Sequence, residues 1–129
     1  MAKVIIIDDI FNTRAVLKNI MEESGHEVIG DFEDGLVGLE FCKSNMPDIV
    51  LLDYNLQAFL NAKPYTGLNF LSDLKNYNKN AKVIFISGNA SQEIILSAIK
   101  KGAVDFIAKP FNLKDVVERV NKALKKQGG

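Results

Sequence analysis

The chain has 129 residues with 16 basic and 16 acidic side chains, so its formal net charge is zero. A single cysteine excludes an internal disulfide and a single histidine excludes a multi-histidine metal site. No apolar run approaches the ~20 residues of a membrane span, and the zero net charge argues against direct nucleic-acid binding. We expect one cytoplasmic globular domain over residues 1–126 and a frayed tail over 127–129.

Short apolar runs alternate along the chain with patterns of helical spacing. In chain order, the predicted strands cover residues 4–7, 27–32, 49–52, 83–86 and 104–108. Apolar residues recur at helical spacing within 16–21, 36–41, 70–77, 94–99 and 113–124. Three of the strand runs are continuous and rich in β-branched residues, which is typical of strands buried on both faces. The alternation predicts an α/β fold, a parallel sheet with helices on both faces.

The ends of several predicted helices carry capping residues. Ser91 and Asn112 stand where the fourth and fifth helices would begin, and serine and asparagine are favoured N-caps. Gly25 and Gly102 follow the first and fourth helical patterns, where glycine commonly ends a helix.

Polar residues follow four of the five predicted strands. They are Asp8 and Asp9 after the first strand, Asp53 after the third, Ser87 after the fourth and Lys109 after the fifth. Each of them alone also fits a turn, a helix cap or a solvated charge. Binding sites of doubly wound folds lie at the carboxyl ends of the strands, so we expect these side chains to converge at one edge of the sheet.

This set of side chains suits phosphoryl chemistry. Three clustered carboxylates repel one another unless a cation joins them, and an all-oxygen ligand set suits Mg²⁺. A carboxylate beside that metal can attack phosphorus and form an aspartyl phosphate. The hydroxyl of Ser87 and the ammonium of Lys109 can then hold the phosphoryl oxygens through charge-assisted hydrogen bonds.

The motifs that contain these residues resemble the receiver domain of two-component response regulators. They are Ile6-Ile7-Asp8-Asp9, Ile49-Val50-Leu51-Leu52-Asp53, Ile86-Ser87-Gly88, Gly102-Ala103 and Lys109-Pro110-Phe111. The resemblance covers nearly the whole chain. It implies a flavodoxin-like (βα)5 fold with a five-stranded parallel sheet, and the strand order 2-1-3-4-5 is taken from that family.

The resemblance also implies a phosphoacceptor and a metal site. Asp53 resembles the phosphoacceptor of the family. Asp8, Asp9 and Asp53 resemble the Mg²⁺ site, with Asp8 acting through water and Asn55 offering its backbone carbonyl. Asn55 and Asn89 also occupy positions that tune the phosphoryl lifetime in the family.

A further group of residues resembles the switch of the family. Ser87 matches the switch hydroxyl and Lys109 the phosphate-binding lysine, whose bond to Pro110 is typically cis in the family. Phe106 occupies the aromatic switch position, although it also fits a plain core phenylalanine.

The resemblance extends to partners and activity. It implies a histidine kinase or a phosphotransfer protein as phosphoryl donor, and a downstream protein that binds the surface of the fourth helix, fifth strand and fifth helix. We expect a monomer or weak homodimer that catalyses only the phosphorylation and dephosphorylation of its own Asp53, and is no conventional enzyme. It either stands alone or is separated from an output domain.

Other functions remain open from the sequence. A receiver-like scaffold that is never phosphorylated is one, and a flavodoxin-like cofactor-binding protein or a small phosphatase is another. The acidic pair Asp8-Asp9 disfavours the cofactor-binding protein, because carboxylates repel a cofactor phosphate when no metal is present.

One segment departs from the family pattern. Residues 54–66 make the connection after the third strand longer than the family pattern, and longer than typical βα loops. The segment contains Phe59, Leu60, Pro64 and Tyr65. It is either a tolerated surface insertion or a docking or lid element beside Asp53.

Overall fold

A computed structural model describes residues 1–56 and 58–125, so the predicted tail at 127–129 lies outside the described residues. The five predicted strands and five predicted helices are all present. In chain order, the elements are β1 (Lys3–Ile7), α1 (Phe11–Glu23), β2 (Glu27–Phe32), α2 (Gly35–Ser44), β3 (Ile49–Asp53), β4 (Ala58–Leu60), β5 (Lys63–Tyr65), α3 (Gly67–Tyr77), β6 (Val83–Ser87), α4 (Gln92–Lys100), β7 (Asp105–Ala108) and α5 (Leu113–Lys125).

Five of the strands form one parallel sheet in the order β2-β1-β3-β6-β7. Strands β6 and β7 are the fourth and fifth strands of the sequence prediction, so the expected order 2-1-3-4-5 is confirmed. In the centre of the sheet, Ile5 pairs with Val50 and Leu52 pairs with Phe85. This register aligns the carboxyl ends of the central strands.

Both faces of the sheet are buried, which explains why the central strand runs are continuous in hydrophobicity. Alternate strand residues face one of two apolar clusters, because successive side chains of a strand point to opposite faces. One cluster joins strand residues such as Ile5 and Phe85 to Phe70 and Leu74 of α3. The other cluster includes Val120 of α5 and residues of α1.

The predicted helix ends are confirmed. The Ser91 hydroxyl accepts a hydrogen bond from the Ile94 N–H at 3.3 Å, and the Asn112 side chain accepts one from the Asp115 N–H at 2.8 Å. The backbone of Gly102 has a φ of 111°, in the region that glycine adopts most readily. Among the described residues, no helix is long and apolar enough to cross a membrane.

The inserted segment is not a simple loop. Strands β4 and β5 form an antiparallel hairpin in which Phe59 pairs with Pro64 and Leu60 with Lys63. The turn residues Asn61 and Ala62 have φ angles of 53° and 66°, the left-handed pair of a type I′ hairpin turn. No strands were predicted within residues 54–66, and the hairpin corrects that expectation.

The base of the hairpin is anchored to the domain, whereas its tip is exposed. Tyr65 and Leu56 are buried, and the Tyr65 hydroxyl donates a hydrogen bond to Asp73 of α3 at 2.7 Å. A side chain at Gly35 would come within 2.7 Å of Leu56, so the absence of one lets α2 approach the hairpin base. Phe59 remains 68% exposed at the tip.

Candidate functional site

The predicted site residues converge at the carboxyl edge of the sheet. Asp8 directly follows β1, Asp53 ends β3, Ser87 ends β6 and Lys109 directly follows β7. The backbone joins neighbouring strand ends, since the Lys109 N–H donates to the Ser87 carbonyl at 2.8 Å. The sheet therefore fixes the relative positions of side chains that are far apart in sequence.

Three carboxylates form the centre of this edge. One oxygen from each of Asp8, Asp9 and Asp53 lies within 4.8 Å of the others. Asp8 and Asp53 are buried, whereas Asp9 is exposed. Like charges this close repel one another, so the cluster favours a bound cation or a bound proton.

The environment of Asp53 raises the pKa of its carboxyl group. The pKa of Asp53 is raised from an ordinary 3.8 to about 6, chiefly by burial and also by the negative charge of Asp8 and a hydrogen bond with Asp9. The hydrogen bond from the Asn55 N–H, at 3.0 Å, and the charge of Lys109 act in the opposite direction. Burial and neighbouring negative charge thus disfavour the ionised form of the residue expected to accept the phosphoryl group.

Lys109 is paired with Asp8. Its Nζ lies 3.0 Å from Asp8 Oδ2, and the Asp8 side chain is only 1% exposed. Asp8 Oδ1 also accepts a hydrogen bond from the Ile10 N–H at 2.8 Å. The Lys109–Pro110 peptide bond is cis, as the resemblance predicted. The ammonium therefore lies inside the carboxylate cluster.

Ser87 is held between two asparagines. Its Oγ accepts a hydrogen bond from Asn55 Nδ2 at 3.0 Å and another from the Asn89 N–H at 3.0 Å. Ser87 is fully buried. The resemblance implied a backbone role for Asn55 at the metal and a position that tunes the phosphoryl lifetime, and the side-chain contact with Ser87 is an addition.

Phe106 is buried in an aromatic group. Its ring centroid lies 6.0 Å from that of Tyr54 and 6.3 Å from that of Phe85. Tyr54 directly follows Asp53, so this group connects β7 to the predicted phosphoacceptor. Tyr54 was missed by the sequence analysis, and its only signal was its position next to Asp53.

Arg14 is a second residue that the sequence analysis missed. Its guanidinium donates a hydrogen bond to the Asp8 carbonyl at 2.7 Å and contacts Asp31 at 3.1 Å. It thereby links α1 and β2 to the segment that carries the carboxylates. No motif distinguishes this arginine from a surface residue of α1.

Comparison with a protein-family model gives one match that covers most of the chain. Residues 4–121 match the model described as the response regulator receiver domain. Among curated proteins, the chain is 38% identical over 125 residues to the chemotaxis protein CheY of Listeria monocytogenes, covering 97% of this chain and 100% of that protein. It is 36% identical to the CheY of Thermotoga maritima, with 95% and 98% of the two chains covered.

Solved structures show the same similarity. A CheX–CheY–BeF₃–Mg²⁺ complex from Borrelia burgdorferi contains a chain that is 30% identical, with a TM-score of 0.87 and coverage of 96% and 90%. The receiver domain of the putative response regulator NarL from Mycobacterium tuberculosis is 26% identical, with a TM-score of 0.87 and 98% of each chain covered.

Proposed function

Because the chain belongs to the response regulator receiver family, we propose that Asp53 accepts a phosphoryl group and that the domain acts as a phosphorylation-dependent binding switch. Receiver domains are generally signalling modules of two-component systems and not enzymes. In this chain, we propose that the site promotes only the phosphorylation and dephosphorylation of Asp53.

One observation carries this proposal. The carboxylates of Asp8, Asp9 and Asp53 approach within 4.8 Å at the edge where Lys109 and Ser87 also lie. A turn or capping role explains each residue alone but gives no reason for burying Asp8, Asp53 and Ser87 together. Burial of several ionisable groups in one cluster is typical of functional sites.

The carboxylate cluster fits Mg²⁺, which receiver domains generally bind at an acidic pocket. Its oxygens are hard ligands, and the raised pKa of Asp53 reflects burial first and then the nearby charge of Asp8, both of which a divalent ion would offset. We propose that Asp8, Asp9, Asp53 and the Asn55 backbone carbonyl hold the ion. When bound, Mg²⁺ supplies positive charge to the phosphoryl oxygens.

The chain's own residues then carry the transfer. An Asp53 oxygen attacks phosphorus of a phosphohistidine, so that an O–P bond forms while the donor's N–P bond breaks and its electron pair returns to the imidazole nitrogen. Lys109 and Ser87 stabilise the phosphoryl oxygens by donating hydrogen bonds. The donor belongs to a partner, a histidine kinase or a phosphotransfer protein, because the chain's one histidine, His26, contacts Ala2 and Asn121 away from this edge.

The readout of phosphorylation follows from the packing of the switch residues. A phosphoryl group adds a charge of about −1.5 to −2 beside Ser87. We propose that Ser87 and Phe106 transmit this change to the surface formed by α4, β7 and α5, and that a downstream protein binds there. Phe106 supports this role because it belongs to β7 and its ring packs against Tyr54, the residue that follows Asp53.

Labelling by acetyl phosphate tests the proposed function. With Mg²⁺ present, intact-protein mass spectrometry should detect the addition of one phosphoryl group. Asp53→Asn and removal of Mg²⁺ with a chelator should each abolish the label, because the first removes the nucleophile and the second the neutralising charge.

Asp48→Asn is the matched control, because Asp48 is exposed and stands before the opposite end of β3. This variant should label like the wild-type protein. An unlabelled wild-type protein under conditions that label a known receiver would overturn the proposed function, and label retained in Asp53→Asn would overturn the assignment of the phosphoacceptor.

A further inference from the structure

Both acceptor positions of the Ser87 hydroxyl are occupied in the unphosphorylated structure. A serine hydroxyl has two acceptor positions and one O–H donor. Asn55 Nδ2 and the Asn89 N–H, each at 3.0 Å, fill both acceptor positions. The O–H is therefore the part of the hydroxyl that can still form a hydrogen bond. It points away from Asn55 Nδ2 and the Asn89 N–H, because both donate to the oxygen.

Asn55 also contacts the phosphoacceptor. Its backbone N–H donates to Asp53 Oδ1 at 3.0 Å, while its side chain donates to Ser87 across 32 residues of sequence. One residue thus joins β3 to β6 through two different groups. The backbone group is independent of residue type, whereas the side-chain amide is specific to asparagine at this position.

We propose that the Asn55 side chain is a positioning residue, which with the Asn89 N–H orients the Ser87 hydroxyl as a donor to the phosphoryl group on Asp53. This inference rests on the proposed function. An oxygen that already accepts two hydrogen bonds directs its hydrogen to the nearest acceptor elsewhere, and an anionic phosphoryl oxygen is a strong acceptor. Without the Asn55 amide, one acceptor position of the hydroxyl is open, and its hydrogen can take additional orientations in which it donates elsewhere.

The Asn55→Ala variant isolates this effect. It removes the amide but keeps the backbone N–H to Asp53 and the backbone carbonyl proposed as a metal ligand. Beryllofluoride, a phosphoryl mimic, should bind to the Mg²⁺-saturated variant about three- to tenfold more weakly, the range that one neutral hydrogen bond supplies. Isothermal titration calorimetry measures this affinity, and Mg²⁺ alone should bind the variant as it binds the wild-type protein.

A double-mutant cycle with Ser87→Ala identifies the contact. If Asn55 acts through Ser87, Asn55→Ala should have no further effect on beryllofluoride affinity once the hydroxyl is absent. Equal weakening in both backgrounds would overturn the proposal, and so would unchanged beryllofluoride affinity in Asn55→Ala. Asn45→Ala, at an exposed asparagine of the α2 end, controls for the substitution itself.

The same measurements separate this inference from the proposed function. A wild-type protein that binds neither beryllofluoride nor acetyl-phosphate label would overturn the proposed function. A wild-type protein that binds and labels normally, while Mg²⁺ affinity falls with beryllofluoride affinity in Asn55→Ala, would show a general disturbance of the site and overturn only the positioning role.

Discussion

The carboxyl edge of the sheet and the inserted hairpin are neighbours in the chain but are built in opposite ways. At the edge, polar groups are buried: Asp8 is 1% exposed and is held by Lys109 and a backbone N–H. At the hairpin tip, the apolar side chain of Phe59 is 68% exposed. The edge keeps charges out of water by pairing them, whereas the tip leaves apolar surface in water while only the base is packed.

This difference predicts which substitutions should change the free energy of unfolding. A buried charge depends on its partner, so removing one member of a pair leaves the other in an unfavourable environment. An exposed apolar side chain contributes little to stability, because it is nearly as hydrated as in the unfolded chain. We therefore expect large effects on unfolding at the edge and negligible effects at the hairpin tip.

The largest effect on unfolding is expected at the Lys109–Asp8 pair. Lys109→Met keeps the length of the side chain but leaves buried Asp8 without its ammonium partner. The free energy of unfolding should fall by about 2–4 kcal/mol in the absence of divalent ions, as measured by urea denaturation. Lys114→Met, which removes an exposed lysine 4.0 Å from Glu118, should change it by less than about 0.5 kcal/mol. Equal losses would show that burial does not strengthen the Lys109 pair.

Asp53→Asn should stabilise the metal-free protein. The pKa of Asp53 is raised from 3.8 to about 6 in the fold, so its ionised form destabilises the folded state once the pH exceeds this range. Near neutral pH, the variant should gain about 1–3 kcal/mol in free energy of unfolding. Because Asp53 is protonated in both states below pH 3.8, the difference should vanish there.

Adding Mg²⁺ provides the control for this prediction. The ion should stabilise the wild-type protein more than Asp53→Asn, because it neutralises the charge that the variant lacks. A variant less stable than the wild-type protein at neutral pH and without Mg²⁺ would contradict the unfavourable environment assigned to ionised Asp53.

The smallest effect is expected at the hairpin tip. Phe59→Ser combined with Leu60→Ser should change the free energy of unfolding by less than about 0.5 kcal/mol, because these side chains are exposed. Tyr65→Phe, which removes the hydrogen bond to Asp73 at the buried base, should instead lose about 1–2 kcal/mol. Comparable losses in both variants would show that the tip packs against the domain in solution.

The tip variant also tests the function of the insertion. Acetyl-phosphate labelling should remain unchanged, because neither side chain belongs to the proposed site. Altered kinase-dependent labelling with unchanged acetyl-phosphate labelling would indicate that the tip is a docking element. Unchanged rates with both donors would leave it as a tolerated insertion.

The carboxyl edge was predictable because it follows from a repeated unit. Asp8, Asp53, Ser87 and Lys109 stand at equivalent points of four of the five strand–helix units, and a parallel sheet brings equivalent points together. The continuous apolar runs also predicted burial of the central strands on both faces. The pairing of Lys109 with Asp8 was not predicted, because proximity alone does not choose among three carboxylates.

The hairpin was not predictable from the same signals. Its strands have three residues each and include Pro64, and its turn contains Ala62 where a glycine would have marked a type I′ turn. The Asn55–Ser87 contact was missed for another reason. It depends on the side-chain rotamer of a residue in a connection 32 positions away, which no sequence periodicity encodes.

Gly67, which follows the inserted segment, lies close to Asp53 and Tyr54, which precede it. A side chain on Gly67 would lie 2.9 Å from the Tyr54 carbonyl and 3.1 Å from the Asp53 carbonyl, so the inserted segment leaves and re-enters the domain at nearly the same point. Joining ends that already meet adds little to the entropy of loop closure as the segment grows. The hairpin turn at Asn61 and Ala62 is therefore a suitable site for grafting a fluorescent reporter without interrupting the five-stranded sheet.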